Sequence, residues 1–207
     1  MEEGVRKLVE KVVGPLTKEN ALSWVQSIVI AVLLALFIRH FFFEPFRIPS
    51  GSMEPTLLIG DKILVNKFIL GMRIPFTYKK FLIVRKPVRG DVVVFRFPDG
   101  EGKDIVKRVV GLPGERIKIS DDGHILVNGT PVTSPSFIAD NTYYNHSTYG
   151  PYATVHEVTV PEDSYFVLGD NSRHSRDGRA RGFVPLSHIK GKVLCVWWPL
   201  WRARAVR

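Results

Sequence analysis

The chain has 207 residues, 45% of them hydrophobic, a formal net charge of +9 and a single cysteine. That length holds one sizeable domain, or one domain carrying an insertion. One cysteine excludes a disulfide framework and a cysteine-based metal site. The six histidines show no ligand spacing, so no metal is expected. Five of the 29 Lys/Arg and four of the 20 Asp/Glu fall in residues 1–43, so the excess charge belongs to the later part. A basic domain points to an anionic partner, nucleic acid or an acidic lipid surface.

Val5, Leu8, Val9, Val12 and Val13 recur at helical spacing until Pro15. They predict a short amphipathic helix in a cytoplasmic segment, 1–20, lying on the inner membrane surface. Ala21 to Ile38 then runs without a charge, and as a helix it rises about 27 Å, close to the ~30 Å of a bilayer core. Trp24 and Phe41 to Phe43 flank it as interface aromatics do. The expectation is one membrane helix within 21–43; the competing reading is a buried core helix. No small-residue cleavage site follows, which argues against a removable signal peptide. Four Lys/Arg precede the span and two, Arg39 and Arg47, follow it closely. The positive-inside rule therefore puts the N-terminus inside and residues 44–207 outside.

Beyond Phe68 the pattern is of short β-type runs broken by Gly, Pro and Asp. Asp91 to Phe97, Ile105 to Val110, Glu115 to Ile119, Ile125 to Val127, Val155 to Val160, Tyr165 to Leu168 and Gly191 to Trp198 read as strands. Asp122-Gly123 and Asn128-Gly129 are hairpin signals. Residues 133–153 read as an irregular loop, and Cys195 as buried packing. The fold class expected is mainly β, an antiparallel sheet domain with a small inserted β subdomain at about 116–163.

Phe46 to Phe68 is the stretch with chemistry in it. Pro49 and Pro55 stiffen a turn that carries Ser50, Gly51 and Ser52, followed at once by the apolar run Ile63 to Val65. A serine on such a turn is either a nucleophile or an ordinary loop residue. Lys107 sits inside the apolar run IVKRVV beside Arg108. Strand alternation turns one of the two inward and leaves the other for solvent. An ordinary lysine is almost wholly charged near pH 7, but burial lowers its pKa, and a neutral amine can take a proton from a serine. The other reading of Lys107 is a snorkelling surface residue.

These residues resemble the bacterial type I signal peptidases, membrane-bound Ser–Lys endopeptidases. The resemblance rests on four features in order: the span, PSGSMEPTL with Gly60-Asp61, KRVVGLPGE from Lys107 to Glu115, and GDNSRHSRDGRARGFVP from Gly169 to Pro185. It implies Ser52 as nucleophile and Lys107 as general base. Ser50 matches the position that completes the oxyanion hole with the Ser52 N–H, and Ser175 the serine that hydrogen-bonds the lysine. Asp177 and Arg179 match a supporting ion pair, and Asp170 and Asn171 a turn that shapes the site. Phe46, Ile48, Pro49 and Val106 resemble the walls of shallow pockets for small side chains. The resemblance further implies preprotein substrates with A-x-A-type signal peptides, contact with membrane lipid, no cofactor, no nucleic acid, a monomer, and a bacterial inner-membrane location with the catalytic domain outside. Self-cleaving Ser–Lys proteins related to the SOS-response repressors share the logic but lack a membrane span. A tethered basic β-domain without catalysis would have no use for Ser52, Lys107 and Ser175.

Overall fold

The computed structural model describes residues 18–73, 77, 80–98, 102–153 and 156–206. The chain divides into two units, Met1–His40 and Phe41–Arg207. In the first, a 24-residue helix spans Lys18–Phe41, about 36 Å of rise. Its stretch Asn20–Arg39 is long and apolar enough to cross a membrane, and none of it is buried in protein. A helix apolar on every side suits a lipid surround better than a one-sided contact with water. The helix stops short of the predicted residue 43: Phe43 already opens a strand, and Pro45 lacks the N–H a helix would need there. The amphipathic helix expected around Val5 to Val13 lies outside the described residues.

The second unit is built on an antiparallel eight-stranded sheet. Its strands are β1 (Phe43–Arg47), β2 (Lys62–Asn66), β5 (Val92–Phe95), β6 (Ile105–Gly111), β11 (Ser164–Leu168), β12 (Val184–Pro185), β13 (Ile189–Trp198) and β14 (Arg204–Ala205). They run β1-β2-β13-β5-β6-β11-β12, with β14 also on β13. The short ribbon β3 (Met72–Arg73) with β4 (Lys80–Phe81) stands apart. The insert forms its own four-stranded sheet, β10-β7-β8-β9, from β7 (Arg116–Ile119), β8 (Ile125–Val127), β9 (Thr130–Pro131) and β10 (Val158–Thr159). The insert packs onto the main sheet: Ile117, Ile119, Ile125, Ile138 and Tyr143 share a cluster with Val110, Phe166 and Leu168. The opposite face of the main sheet buries Val93, Phe95, Val109, Tyr165 and Val167, and a third cluster gathers Ile48, Met53, Leu57, Ile63, Val65 and Val94.

Two expectations are corrected by these contacts, and one further strand is added. Residues 133–153 are not all irregular, because Ser136–Ala139 is a helical turn and both Ile138 and Tyr143 are buried. Cys195 is half-buried. The segment after Trp198 returns as β14, pinned by the ion pair of Arg202 with buried Asp61 (3.0 Å) and by Arg204, which donates to the Thr56 carbonyl (2.6 Å).

At Gly191, β13 lies close against β2. A Cβ there would strike the Asn66 carbonyl oxygen and Val65, and backbone cannot step aside as a flexible side chain can. Gly191→Ala is expected to destabilise the domain by about 1–3 kcal/mol, read as a lower urea midpoint of the full chain in detergent.

Candidate active site

Ser52 lies in a single 3-10 turn, Gly51–Met53, whose preceding residue Ser50 is extended (φ −142°, ψ 156°). The stem of this loop is closed by two backbone bonds, Ile48 N–H to the Asp61 carbonyl and Gly60 N–H to the Ile48 carbonyl, each 2.9 Å. From behind, Asn171 holds the turn twice: its N–H donates to the Ser52 carbonyl (3.1 Å) and its side-chain amide to the Gly51 carbonyl (3.0 Å).

Lys107 comes from β6, which is covered on both faces. Lys107 and Arg108 are therefore both buried, at 3% and 0% exposure, and the expectation that one faces solvent is wrong. The Lys107 ammonium nitrogen is 2.6 Å from Ser52 Oγ and donates to the Val106 carbonyl at 2.9 Å. Burial pushes its pKa down to about 8, against the upward pull of Asp177 and Asp170 and with help from Arg179. Desolvation dominates because no carboxylate touches the amine.

Both nearby carboxylates are already engaged. Asp177 and Arg179 form a fully buried pair (2.9 Å), and Asp177 also accepts from the Gly169 N–H (2.9 Å). Asp170 is clasped by Arg108 through Nε (2.8 Å) and Nη2 (2.7 Å), and accepts from the Thr56 hydroxyl (2.5 Å). Gly169 has to be glycine: a Cβ would collide with the Ser52 carbonyl and the Ser175 side chain. Ser175 is buried beside these groups, but its hydroxyl has no hydrogen-bond partner among the described residues. The expected bond from Ser175 to Lys107 is thus not made; the amine bonds Ser52 and the Val106 carbonyl.

Phe46, Ile48, Pro49 and Val106 do come together. With Met53 and Ile105 they line a groove of about 310 Å³ that ends at Ser52 and Lys107. The groove runs between β1 and the first half of β6, strands kept apart in the sheet order, so the sheet curls to bring them face to face. Among the described residues β1 has no strand on its outer edge, and β11 pairs with β6 only from Arg108 onward. Sequence reasoning missed Thr56, Asn141 and Phe137, which buttress the Asp170 turn. The one available signal was Arg108, an arginine within an apolar run.

A hydroxyl in reach of a buried amine, beside a groove with two free strand edges, is the layout of a serine peptidase. The comparisons agree. Residues 21–198 match the model of the family described as signal peptidase, peptidase S26. The chain is 38% identical to signal peptidase I of Pseudomonas fluorescens, over 91% of this chain and 77% of that protein. It is 35% identical to signal peptidase I of Bacillus licheniformis, over 88% and 91%. A crystal structure of a signal peptidase I from Enterococcus faecalis is similar over 52% of this chain and 97% of its own, at 34% identity and a TM-score of 0.40, too low to bear on the fold. This chain belongs to the signal peptidase, peptidase S26 family.

Holding an ammonium in an apolar site costs stability. The folded pKa, about 8, lies below the ordinary 10.5, so that cost is complete below pH 8 and vanishes as pH rises toward 10.5. Lys107→Met is expected to stabilise the protein by about 1–3 kcal/mol at pH 7. Melting temperatures compared at pH 7 and pH 10 should show that gain shrinking at the higher pH.

Proposed function

We propose that this chain is a membrane-anchored signal peptidase I that removes N-terminal signal peptides from exported preproteins. The observation that carries the reading is the 2.6 Å approach of Lys107 Nζ to Ser52 Oγ at the end of the groove. The substrate enters extended and adds a strand between β1 and β6, where free backbone groups supply affinity. Its alternate side chains meet the shallow walls of Phe46, Ile48, Pro49 and Val106, which suit the small residues before a signal-peptide cleavage site.

Neutral Lys107 accepts the Ser52 hydroxyl proton as Oγ attacks the scissile carbonyl. The oxyanion forms against the Ser52 N–H and the Ser50 hydroxyl, the latter on an exposed, extended residue at the groove. Donors of this kind contribute about 3 kcal/mol each in comparable enzymes. The lysine then protonates the departing amine, and water, activated by the same amine, releases the acyl group from Ser52. Asp177 with Arg179, and Asp170 with Arg108, hold the loops that carry the pair. The apolar helix anchors the enzyme where a substrate's own signal segment is held, raising effective concentration. Lys and Arg bias around that helix supports an inner-membrane, N-terminus-in arrangement with the catalytic domain outside. The enzyme acts as a monomer, with lipid and preproteins as partners, and without cofactor or nucleic acid.

Purified full-length enzyme in vesicles, given a preprotein with an A-x-A signal, should cut it at one bond, identified by mass spectrometry of the product. Ser52→Ala should lower the rate by at least about 10³-fold; undiminished cleavage by that variant would sink the enzyme reading. The rate should also climb with pH and level off above about 8, where Lys107 is neutral, falling about tenfold per unit below it. A flat profile from pH 5 to 9 refutes the lysine base.

A further inference from the structure

We propose that Phe137, supplied by the inserted subdomain, is a positioning residue for Ser52 and Lys107, acting through the guanidinium of Arg108. This inference rests on the Ser–Lys reading above.

Arg108 is the hub of the region behind the site. Besides clasping Asp170, it donates to the Gly90 carbonyl (2.8 Å) and to the Thr56 hydroxyl (3.3 Å). It follows Lys107 on the strand, Thr56 lies four residues past Ser52, and Asp170 adjoins Asn171, which holds the Ser52 turn. One guanidinium thus joins the elements that carry the nucleophile, the base and the supporting turn. Its face is covered by the Phe137 ring, with the guanidinium carbon 4.0 Å from the ring centroid. The insert is fitted closely here, since a Cβ on Gly90 would meet Pro135 and Phe137 within 3.0 Å. Asn141, also from the insert, donates to the Asp170 carbonyl (2.9 Å).

A flat cation with four of its five donors committed to Asp170, Gly90 and Thr56 in its own plane is fixed further by what covers its face. Removing the ring frees the fork to tilt away from Asp170. The charged groups that act on Lys107 are Asp177 and Asp170, which favour the ammonium, and Arg179, which opposes it. Asp177 keeps its own arginine. Asp170, less well neutralised, then holds the proton on Lys107 more firmly. The insert is in this way coupled to the titration of the base.

The test compares full-length wild type, Phe137→Leu and Phe137→Tyr in detergent, with kcat and KM for a signal-peptide substrate measured from pH 6 to 10. Leu keeps the apolar bulk and loses the ring; Tyr keeps the ring. Expected for Phe137→Leu are an upward move of the kcat titration by about 0.5–1 pH unit, kcat at pH 7 reduced about three- to tenfold, and KM within about twofold of wild type. Phe137→Tyr should restore the wild-type profile. A Phe137→Leu enzyme with an unmoved titration overturns the inference, whether or not its melting temperature falls, because a merely structural ring would change stability alone. A wild type without such a titration, or an active Ser52→Ala, overturns the Ser–Lys reading and this inference with it.

Discussion

The removal of one amine from water governs the arrangement around it. Lys107 is buried in a strand covered on both faces, and its nearest polar neighbours are a hydroxyl and a carbonyl, not a carboxylate. Desolvation without a counter-charge makes the neutral form accessible near neutral pH. A single direct carboxylate contact would restore the ordinary lysine pKa and with it a permanently charged group. The surroundings are consequently organised to bring acidic residues close enough to build loops while keeping their charge engaged elsewhere.

Two buried arginine–carboxylate pairs do this. Breaking such a pair by removing one partner typically costs about 3–5 kcal/mol, because it strands a charge in a poor solvent. Asp177 also accepts from the Gly169 N–H on the oxygen that bonds Arg179 Nη2, and Asp170 accepts from Thr56. The same pairs therefore hold the turn behind Ser52 and damp the field at Lys107. On the proposed reading, that dual role links the geometry of the Ser52–Lys107 pair to its titration, and the proposed role of Phe137 extends it to the insert.

The curl of the main sheet supplies the other requirement. A flat antiparallel sheet would leave β1 and β6 far apart; curled, it presents two unpaired strand edges across a groove. Exposed edges are an aggregation hazard that proteins normally cover. Here Pro45 and Pro49 limit the donors on one of them, and on the proposed reading a substrate strand fills the gap only transiently. On that reading, a groove that recognises backbone and asks only for small side chains suits many different preproteins.

Much of this was legible in the chain itself. An uncharged apolar run is long enough to cross a bilayer in any context, and period-two runs between Gly, Pro and Asp make antiparallel strands by local sterics. The Ser52 turn and the apolar setting of Lys107 were visible, and motif resemblance joined them. Other features depended on contacts between distant segments. Alternation along IVKRVV could not reveal that both sheet faces are covered, so the burial of Arg108 and its clasp on Asp170 stayed hidden. The loop at 133–153 looked irregular because Phe137, Ile138 and Tyr143 find their partners on the main sheet and not among their neighbours. Ser175 was expected on the lysine, yet the Val106 carbonyl lies closer to hand. The sequence by itself determined an apolar helix, a β domain, and which residue types stand on the Ser52 turn and in the IVKRVV run, because these follow from local composition. Only the tertiary structure decided which groups meet, because burial, and hence the charge state of Lys107, depends on the elements packed on each side of its strand.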